Sequence, residues 1–221
     1  MFACIARSYD LNNRVHSLWR DQAWRRAAVR MTRPTPEDVV LDVACGTGDL
    51  SLAFSQAGVQ RVLGVDFTVD MLKVAKTKTS DASPVHYAAG DAMNLPLADA
   101  SADIASIAFG IRNVTSPARA LGEFFRVLRP GGRLVVLEFS LPCNALCRWA
   151  YLFYFNHILP RTATLIARDR SGAYRYLPRS VNTFLSREQL VGMMQTAGFV
   201  NIAARPLTFG IAVAYVGEKP R

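Results

Sequence analysis

A glycine turn and two later aspartates are the residues whose types and spacing could do chemistry in this 221-residue chain. An apolar run leads into a turn that begins at Asp42 and carries Gly46 and Gly48. Glycine lets the backbone turn tightly and approach a ligand closely. A helix that starts after such a turn also offers unpaired N–H groups. The turn therefore predicts a binding site for a nucleotide-like ligand.

Two ligand classes use such a turn, and the residues around it favour one of them. A dinucleotide site requires a third glycine where this chain has Ser51, and the Gly-Lys-Ser/Thr of a phosphate-binding loop is absent. S-adenosylmethionine (SAM) has no phosphate, but its ribose needs an acidic residue at the end of the second strand. Asp66 stands there, and Asp91 with the small residue Ala92 follows the third strand, where an adenine amino group would lie. The order of these features along the chain, the glycine turn followed by Asp66 and then Asp91, favours SAM.

The elements that must position these residues alternate along the chain. Short apolar runs predict strands, and the segments between them have helical periodicity, which together predict a parallel sheet covered by helices on both faces. The predicted strands are 39–41, 61–65, 85–88, 102–109, 133–139, 200–204 and 211–216. We expect one α/β domain over residues 1–221. It has an N-terminal helical cap, residues 1–33, with a helix over 11–31, and an aromatic, arginine-rich insertion over 141–185 that serves as a substrate lid.

At this point the chain resembles a known family, the menaquinone/ubiquinone biosynthesis C-methyltransferases of the UbiE/MenG type. The resemblance lies in residues 40–50, 107–114 and 126–140, with an N-terminal signature and a segment before the last helix. The signature residues are Tyr9, Asp10, Asn13, Ser17 and Trp24, and the later segment comprises residues 174–178 and Ser180. The chain departs from the family at Arg129, where Lys is usual, at Asp21, where His is common, and at His16, where an aliphatic residue is common.

The resemblance implies a class I SAM-dependent methyltransferase, Rossmann-like, with seven strands, mostly parallel, and an antiparallel last strand. It implies a SAM site lined by Thr47, Asp66, Asp91, Ala92 and the backbone around Ala108. The implied substrate is a polyprenylated quinol that is methylated on its ring. We favour demethylmenaquinol as the substrate and menaquinol as the product. The alternatives are the 2-methoxy-6-polyprenyl-1,4-benzoquinol of ubiquinone biosynthesis, another small acceptor, or SAM binding without catalysis.

Methylation of an aromatic carbon requires an electron-rich ring, so the acceptor must be the reduced quinol. A phenol with a pKa of about 10 lies about three units above neutral pH, which corresponds to about 4 kcal/mol. A positive or hydrogen-bonding group beside the oxygen can supply much of this. Arg112 is the candidate, with Asn113 as its neighbour and water as the proton acceptor; His157 is an alternative base. The sequence indicates no group of functional residues around His16 or His86, so neither is assigned a role.

The insertion combines aromatic residues with arginines, which is typical of a lid over a lipophilic substrate. Tyr9, Tyr174 and Tyr176 could cover the quinol ring, because tyrosine offers stacking area with a polar end. Residues 1–33 and 141–180 each carry a net charge of +5, whereas the whole chain carries +9. Two basic segments on a near-neutral body favour peripheral contact with an anionic membrane.

Other features of the sequence argue against a nucleic-acid partner, a metal site and a secreted protein. The uneven charge and the lack of an Asn-Pro-Pro-Tyr motif after the fourth strand argue against a nucleic-acid partner. The four cysteines are too scattered for a disulfide framework or a zinc site, so we expect no metal and a reducing environment. The N-terminus lacks the apolar core of a signal peptide. We expect a cytoplasmic protein, peripheral at the inner face of the cell membrane. Whether it forms a homo-oligomer stays open.

Overall fold

The computed structural model describes residues 2–167, 180–181 and 184–221. Seven strands form one sheet in the order β3-β2-β1-β4-β5-β7-β6. β7 runs antiparallel to both of its neighbours, and the other pairs are parallel. The strands are β1 Val39–Val43, β2 Arg61–Asp66, β3 Val85–Ala89, β4 Ala102–Ala108, β5 Leu128–Phe139, β6 Val200–Leu207 and β7 Ala212–Glu218. The predicted fold class is confirmed, including the antiparallel last strand.

Eight helices are described in this part of the chain. They are α1 Phe2–Ser17, α2 Arg20–Met31, α3 Asp49–Gln56, α4 Val69–Thr77, α5 Pro117–Val127, α6 Ala145–Phe153, α7 Leu159–Ala167 and α8 Arg187–Thr196. Short 3-10 turns lie at Ile111–Asn113 and Thr208–Gly210, and the π-helical turn Tyr154–Ile158 joins α6 to α7. No helix among the described residues combines the length and the apolar character needed to cross a bilayer.

The helices cover both faces of the sheet because each presents an apolar stripe to it. On one face, Phe124 of α5 and Met194 of α8 are fully buried in the larger core cluster. On the other face, Trp24 of α2 and Phe54 of α3 are buried in a second cluster. Because β1 to β5 are parallel, their carboxyl ends lie at one edge of the sheet, and open α/β sheets bind ligands at that edge.

The predicted N-terminal helix is broken in two, so its expected continuity over residues 11–31 was wrong. Leu18 and Trp19 separate α1 from α2, and both have left-handed backbone angles, with φ of 51° and 60°. The Ser17 hydroxyl donates to the Asp21 carboxylate at 2.9 Å and accepts from the Asp21 backbone N–H at 3.2 Å. The residue types give no signal of the break, because residues 11–31 contain neither glycine nor proline.

The insertion lies against the N-terminal cap. α7 packs on α1, and Phe155, Leu159, Ala163 and Val181 form a separate small core. Tyr9 of α1 packs against this core. α1 and the insertion therefore form an additional layer, whereas α2 packs on the sheet itself. The space between this layer and the strand ends is where a ligand can be enclosed.

Candidate active site

The glycine turn between β1 and α3 has the conformation that its glycines allow. Gly46 and Gly48 have φ of 55° and 81°, and the Gly48 N–H donates to the Cys45 carbonyl at 2.9 Å. A Cβ on Gly48 would collide with the Tyr87 hydroxyl, whereas a Cβ on Gly46 would meet nothing within 4 Å. Gly48 is thus required by packing, and Gly46 leaves an open backbone surface for a ligand.

Asp66 fastens this turn to the end of β2. One carboxylate oxygen accepts from the Gly46 N–H at 2.8 Å and the other from the Thr68 N–H at 2.7 Å. A carboxylate oxygen has two acceptor positions, so each oxygen can still receive a ligand hydroxyl. The next residue, Phe67, is 82% exposed. The sequence analysis missed this aromatic ring, although its position directly after the acidic residue was the available signal.

Asp91 lies at the same edge, after the neighbouring strand. β3 pairs with β2 in a register that sets Asp66 opposite Ala89, and the Gly90 N–H donates to the Asp66 carbonyl at 3.1 Å. One Asp91 carboxylate oxygen accepts from the Met93 N–H at 2.9 Å. The structure therefore brings Asp66 and Asp91 to one edge of the sheet, and Ala92 is half-buried against the larger core cluster.

Asp42 lies beneath the turn with its carboxylate already engaged. It accepts from the Ser51 hydroxyl at 2.6 Å and from the Ser106 hydroxyl at 2.9 Å. Burial raises the pKa of Asp42 to about 6, and the two serine bonds act in the opposite direction. Burial also raises the pKa of the Cys45 thiol, which disfavours a nucleophilic role for it. Ser51, which stands in the place of a third glycine, thus has a structural function in this chain.

α1 covers the turn through a network of charged groups that the sequence analysis did not find. Asp10 accepts from the Thr47 hydroxyl at 2.5 Å and from the Lys78 ammonium at 2.7 Å. Lys78 also donates to Asp49, the first residue of α3, at 2.5 Å. The residues joined here lie up to 68 positions apart in sequence, so no local pattern could reveal the network.

A small cavity of about 20 Å³ remains beneath α1. Its lining includes Tyr9, Asp42, Gly46, Thr47 and Ala108. That volume suits about one water molecule, whereas sites for small-molecule ligands usually span about 300–1,000 Å³. In this position α1 leaves no room beneath it for a group larger than a water molecule, and Asp66 and Asp91 lie outside this small cavity.

A second, much larger cavity of about 630 Å³ lies between the cap, the insertion and the strand ends. Aromatic side chains form much of its wall: Tyr9, Trp24, Phe109, Phe139, Tyr151, Tyr154, Phe155 and Phe209. Phe109 and Phe139 pack with ring centroids 4.5 Å apart. Tyr9 and Arg25 line both cavities, so the two spaces meet at these side chains. The arrangement suits an apolar ligand held next to a polar one.

Arg112 reaches this cavity from the 3-10 turn after β4. Its guanidinium Nη1 donates to a Glu138 carboxylate oxygen at 2.5 Å and to the Phe109 carbonyl at 2.7 Å. The Arg112 and Glu138 side chains are only 6% and 1% exposed, and the Arg112 Nε is buried with no partner. Asn113 donates to the same Phe109 carbonyl at 3.5 Å. Arg112 is thus held in a structural ion pair and lines the cavity, and its Nε–H is shielded and without a partner.

The structure changes which histidine is the better candidate for a base. His157 is exposed on the π-helical turn, with its ring 5.3 Å from that of Phe153, and it does not belong to the cavity wall. His16, which was assigned no role, lines the cavity together with Tyr151 and Tyr154. Tyr174 and Tyr176 lie outside the described residues. Among the residues that are described, no cluster of three or more potential metal ligands occurs.

Comparison with known proteins identifies the family. The model of the ubiE/COQ5 methyltransferase family matches residues 1–219. This chain belongs to the ubiE/COQ5 methyltransferase family. It is 44% identical to a demethylmenaquinone methyltransferase of Deinococcus radiodurans over 99% of this chain and 91% of that one. It is also 44% identical to one of Thermus thermophilus over the full length of both chains. Identity is 42% with a ubiquinone/menaquinone biosynthesis C-methyltransferase UbiE of Geotalea daltonii, over 99% and 94%.

Solved structures agree with the fold of this methyltransferase. A methyltransferase in complex with the Trm112 activator of Haloferax volcanii superposes with a TM-score of 0.73 at 19% identity, covering 100% of this chain and 98% of that chain. A SAM-dependent methyltransferase of Thermotoga maritima gives a TM-score of 0.68 at 22% identity, over 99% and 100%. The family, the class I fold and the methyltransferase activity expected from the sequence are confirmed.

The first prediction concerns Gly48 of this methyltransferase. We expect Gly48→Ala to lower the free energy of unfolding by about 1–3 kcal/mol, because the new side chain must hold a left-handed angle against Tyr87. Urea denaturation measures the change. The control is Gly122→Ala on the exposed face of α5, where a Cβ meets nothing within 4 Å; it should gain about 0.5–1 kcal/mol. Equal stability of the wild type and the Gly48→Ala variant would contradict the packing argument.

Proposed function

We propose that this protein transfers a methyl group from SAM to a ring carbon of a polyprenylated quinol and converts demethylmenaquinol to menaquinol. The observation that carries the proposal is the 630 Å³ aromatic cavity that meets the glycine turn at Tyr9 and Arg25. An apolar ring with a prenyl chain suits such a cavity. The relatives from Deinococcus and Thermus, named demethylmenaquinone methyltransferases, support the naphthoquinol over the benzoquinol alternative.

The residues at the strand ends fit SAM. Asp66 offers a buried carboxylate for the two ribose hydroxyls, and Gly46 presents bare backbone toward the ligand. Asp91 lies one strand further, where it can accept from the adenine amino group, and Phe67 can stack on the adenine ring. When bound, SAM supplies an electrophilic methyl group on a sulfonium. For the part of SAM that lies at the glycine turn, α1 has to move outward, because the space beneath it is only about 20 Å³.

The second prediction tests the SAM site. We expect Asp66→Asn to weaken SAM binding about 10- to 100-fold, because hydrogen bonds to a charged acceptor contribute about 1.5–3 kcal/mol. Isothermal titration calorimetry measures the affinity. Asp70→Asn is the control, since Asp70 is exposed on α4 and pairs only with Lys73 among the ion pairs of the described residues. Unchanged affinity in a folded Asp66→Asn variant would refute this placement of the ribose.

Arg112 is proposed to stabilise the quinol oxygen as its proton leaves. Glu138 already neutralises the guanidinium charge. The Nε–H has no partner but is shielded in this structure, so it is the group left to act once the guanidinium turns toward a bound ligand. A directed donor in a site that excludes water stabilises developing charge well. Arg112 also keeps Glu138 from being a buried, unpaired carboxylate.

The third prediction follows from this double role. Labelled methyl should be incorporated into demethylmenaquinol when dithionite is present and not when it is absent, because the oxidised ring is electron-poor. In this assay, we expect Arg112→Lys to keep a cation beside Glu138 but lose the Nε–H, so turnover should fall about 100-fold while SAM affinity stays unchanged.

The control for this assay is Arg129→Lys, an exposed residue that pairs with Asp103 at the surface; it should keep full turnover. The assay is repeated with 2-methoxy-6-polyprenyl-1,4-benzoquinol. Faster turnover of that ring would reverse the choice of substrate, and no turnover of either ring would overturn the proposed function. Full activity of Arg112→Lys would leave Arg112 with a structural role alone.

Peripheral contact with an anionic membrane is also proposed. Leu146, Trp149 and Phe153 are 74%, 67% and 52% exposed, and their spacing sets them on one side of α6. Leu18 and Phe209, each 81% exposed, line the large cavity. We call these five side chains the apolar rim. Basic residues in the cap and the insertion add attraction to anionic lipids of about 1 kcal/mol each. Homo-oligomerisation and the lack of a nucleic-acid partner stay predictions.

The fourth prediction concerns this rim. We expect the protein to co-sediment with vesicles that contain phosphatidylglycerol, and binding should weaken as salt rises. The double variant Leu146→Ser, Trp149→Ser should reduce the bound fraction at least tenfold, because it removes apolar surface from the contact. Val200→Ser, a change of an exposed residue on β6, is the control. Wild-type protein that stays in the supernatant at every salt concentration would rule out the membrane contact.

A further inference from the structure

His16 occupies an unusual position in the large cavity. It stands at the end of α1, immediately before the left-handed pair that turns the chain into α2. Its Nδ1 lies 2.9 Å from the Tyr154 hydroxyl oxygen. Its Nε2 is shielded from solvent and has no hydrogen-bond partner, although His16 lines the cavity. A polar atom that is buried without a partner costs about 1–3 kcal/mol, so a ligand atom that pairs with it gains affinity.

The contacts of Tyr154 define which imidazole nitrogen carries the hydrogen. The Tyr154 hydroxyl donates to the backbone carbonyl of His16 at 3.4 Å. A hydroxyl has one hydrogen, so both contacts are made together only when the His16 Nδ1–H donates to the Tyr154 oxygen. In that tautomer Nε2 holds a lone pair. The atom is shielded in this structure, so a small displacement of α1 or of the imidazole ring is needed to present it to the cavity that His16 lines.

The other acidic and basic groups on the cavity wall are already engaged. The Asp21 carboxylate accepts from Ser17, Gln22 and Arg25 at 2.9, 3.0 and 3.0 Å. Arg25 is thereby paired with Asp21, and Arg112 is paired with Glu138.

Arg20, the remaining arginine in the wall, is a donor and cannot accept a proton. Tyr151 has a buried hydroxyl without a partner, but burial raises its pKa, so it acts as a donor as well. Among the described residues of the wall, His16 is the one imidazole.

We propose that His16 is the proton acceptor of the reaction and that its Nε2 takes the proton of the acceptor hydroxyl as the methyl group is transferred. This inference rests on the proposed function and names the base of that same site. Burial lowers the pKa of His16, so the imidazole is neutral at pH 7 and its lone pair is available. The family resemblance does not supply this role, because an aliphatic residue is common at this position.

The step balances with no further reactant. As the O–H proton passes to Nε2, the ring carbon next to that oxygen forms the new C–C bond, and the S–C bond breaks with its electron pair going to sulfur. The methylated carbon then loses its hydrogen to water while His16 returns its proton to the ring oxygen. One proton is released to solvent for each methyl group transferred.

The test compares turnover of the reduced quinol in wild type and in His16→Gln. General-base catalysis contributes about 10²- to 10⁴-fold, so we expect at least a 100-fold loss of turnover with unchanged SAM affinity. Imidazole added to His16→Ala should restore part of the loss. His86→Gln, on the exposed side of β3, should keep full turnover. No wild-type turnover overturns the proposed function, whereas wild-type turnover with an equally active His16→Gln variant overturns the role of His16.

A second test, by nitrogen-15 NMR spectroscopy, does not depend on turnover. The chain has three histidines, so nitrogen-15 labelling of histidine gives few signals, and His16→Gln identifies those of His16. We expect an Nε2 shift typical of a nitrogen without hydrogen. This shift should change on addition of a stable probe, 4-methoxy-1-naphthol methylated at the reacting carbon. An Nε2 that carries hydrogen at pH 7, or one that the probe leaves unchanged, overturns the inference. A loss of turnover in His157→Gln but not in His16→Gln would do the same.

Discussion

The rest of the site depends on the Asp66 carboxylate, which binds two backbone N–H groups from segments on either side of it. The bond to Gly46 holds the glycine turn against the end of β2, and the bond to Thr68 holds the start of α4. Parallel pairing of β2 with β1 and β3 places these segments at one edge. A carboxylate used in this way both shapes the turn and remains an acceptor, so its position is set before any ligand arrives.

α1 contributes side chains to the walls of both cavities. Its Asp10 contacts the turn through Thr47, and residues further along the same helix, including Asn13 and His16, form a wall of the large cavity. Since a helix moves as a rigid element over a few turns, the outward shift proposed for SAM binding would also move the wall proposed to contact the quinol. The Asp10–Lys78 contact that would break in this shift is only partly exposed, so the network stabilises the present position of α1. The sites proposed for the methyl donor and for the acceptor therefore share one helix.

Local sequence patterns predicted the parts of the site that local geometry produces. Gly46, Gly48, Asp66 and Asp91 follow strands directly, so the strand order alone brings them together at the sheet edge. Contacts between distant segments could not be predicted. His16 meets Tyr154 across 138 residues, and Trp24 donates to Thr208 across 184 at 2.8 Å.

The break at Leu18 and Trp19 was missed for a different reason. It depends on left-handed angles that neither residue type favours. Both side chains are exposed, so hydrogen bonds hold the conformation: those between Ser17 and Asp21, and the Trp19 N–H to the Arg14 carbonyl at 2.8 Å. The family resemblance supplied Tyr9 and Asp10 as signature residues, but it could not tell that one lines both cavities and the other holds Thr47 and Lys78.

The ion pair between Arg112 and Glu138 limits how the site can stabilise a phenolate. Two opposite charges 2.5 Å apart in a buried setting produce little net field at a distance, so general positive charge cannot make up the cost of about 4 kcal/mol for ionising the phenol at neutral pH. What remains is directional: an Nε–H from Arg112, a hydroxyl from Tyr151 and a lone pair on His16. All three are unpartnered and shielded, on residues that line the same cavity. In the mechanism proposed here, these donors serve one quinol oxygen and the imidazole accepts its proton, so no fully ionised ring forms before the methyl group is in place. Under that proposal proton loss and methyl transfer are concerted, which protects an easily oxidised quinol from carrying a free negative charge.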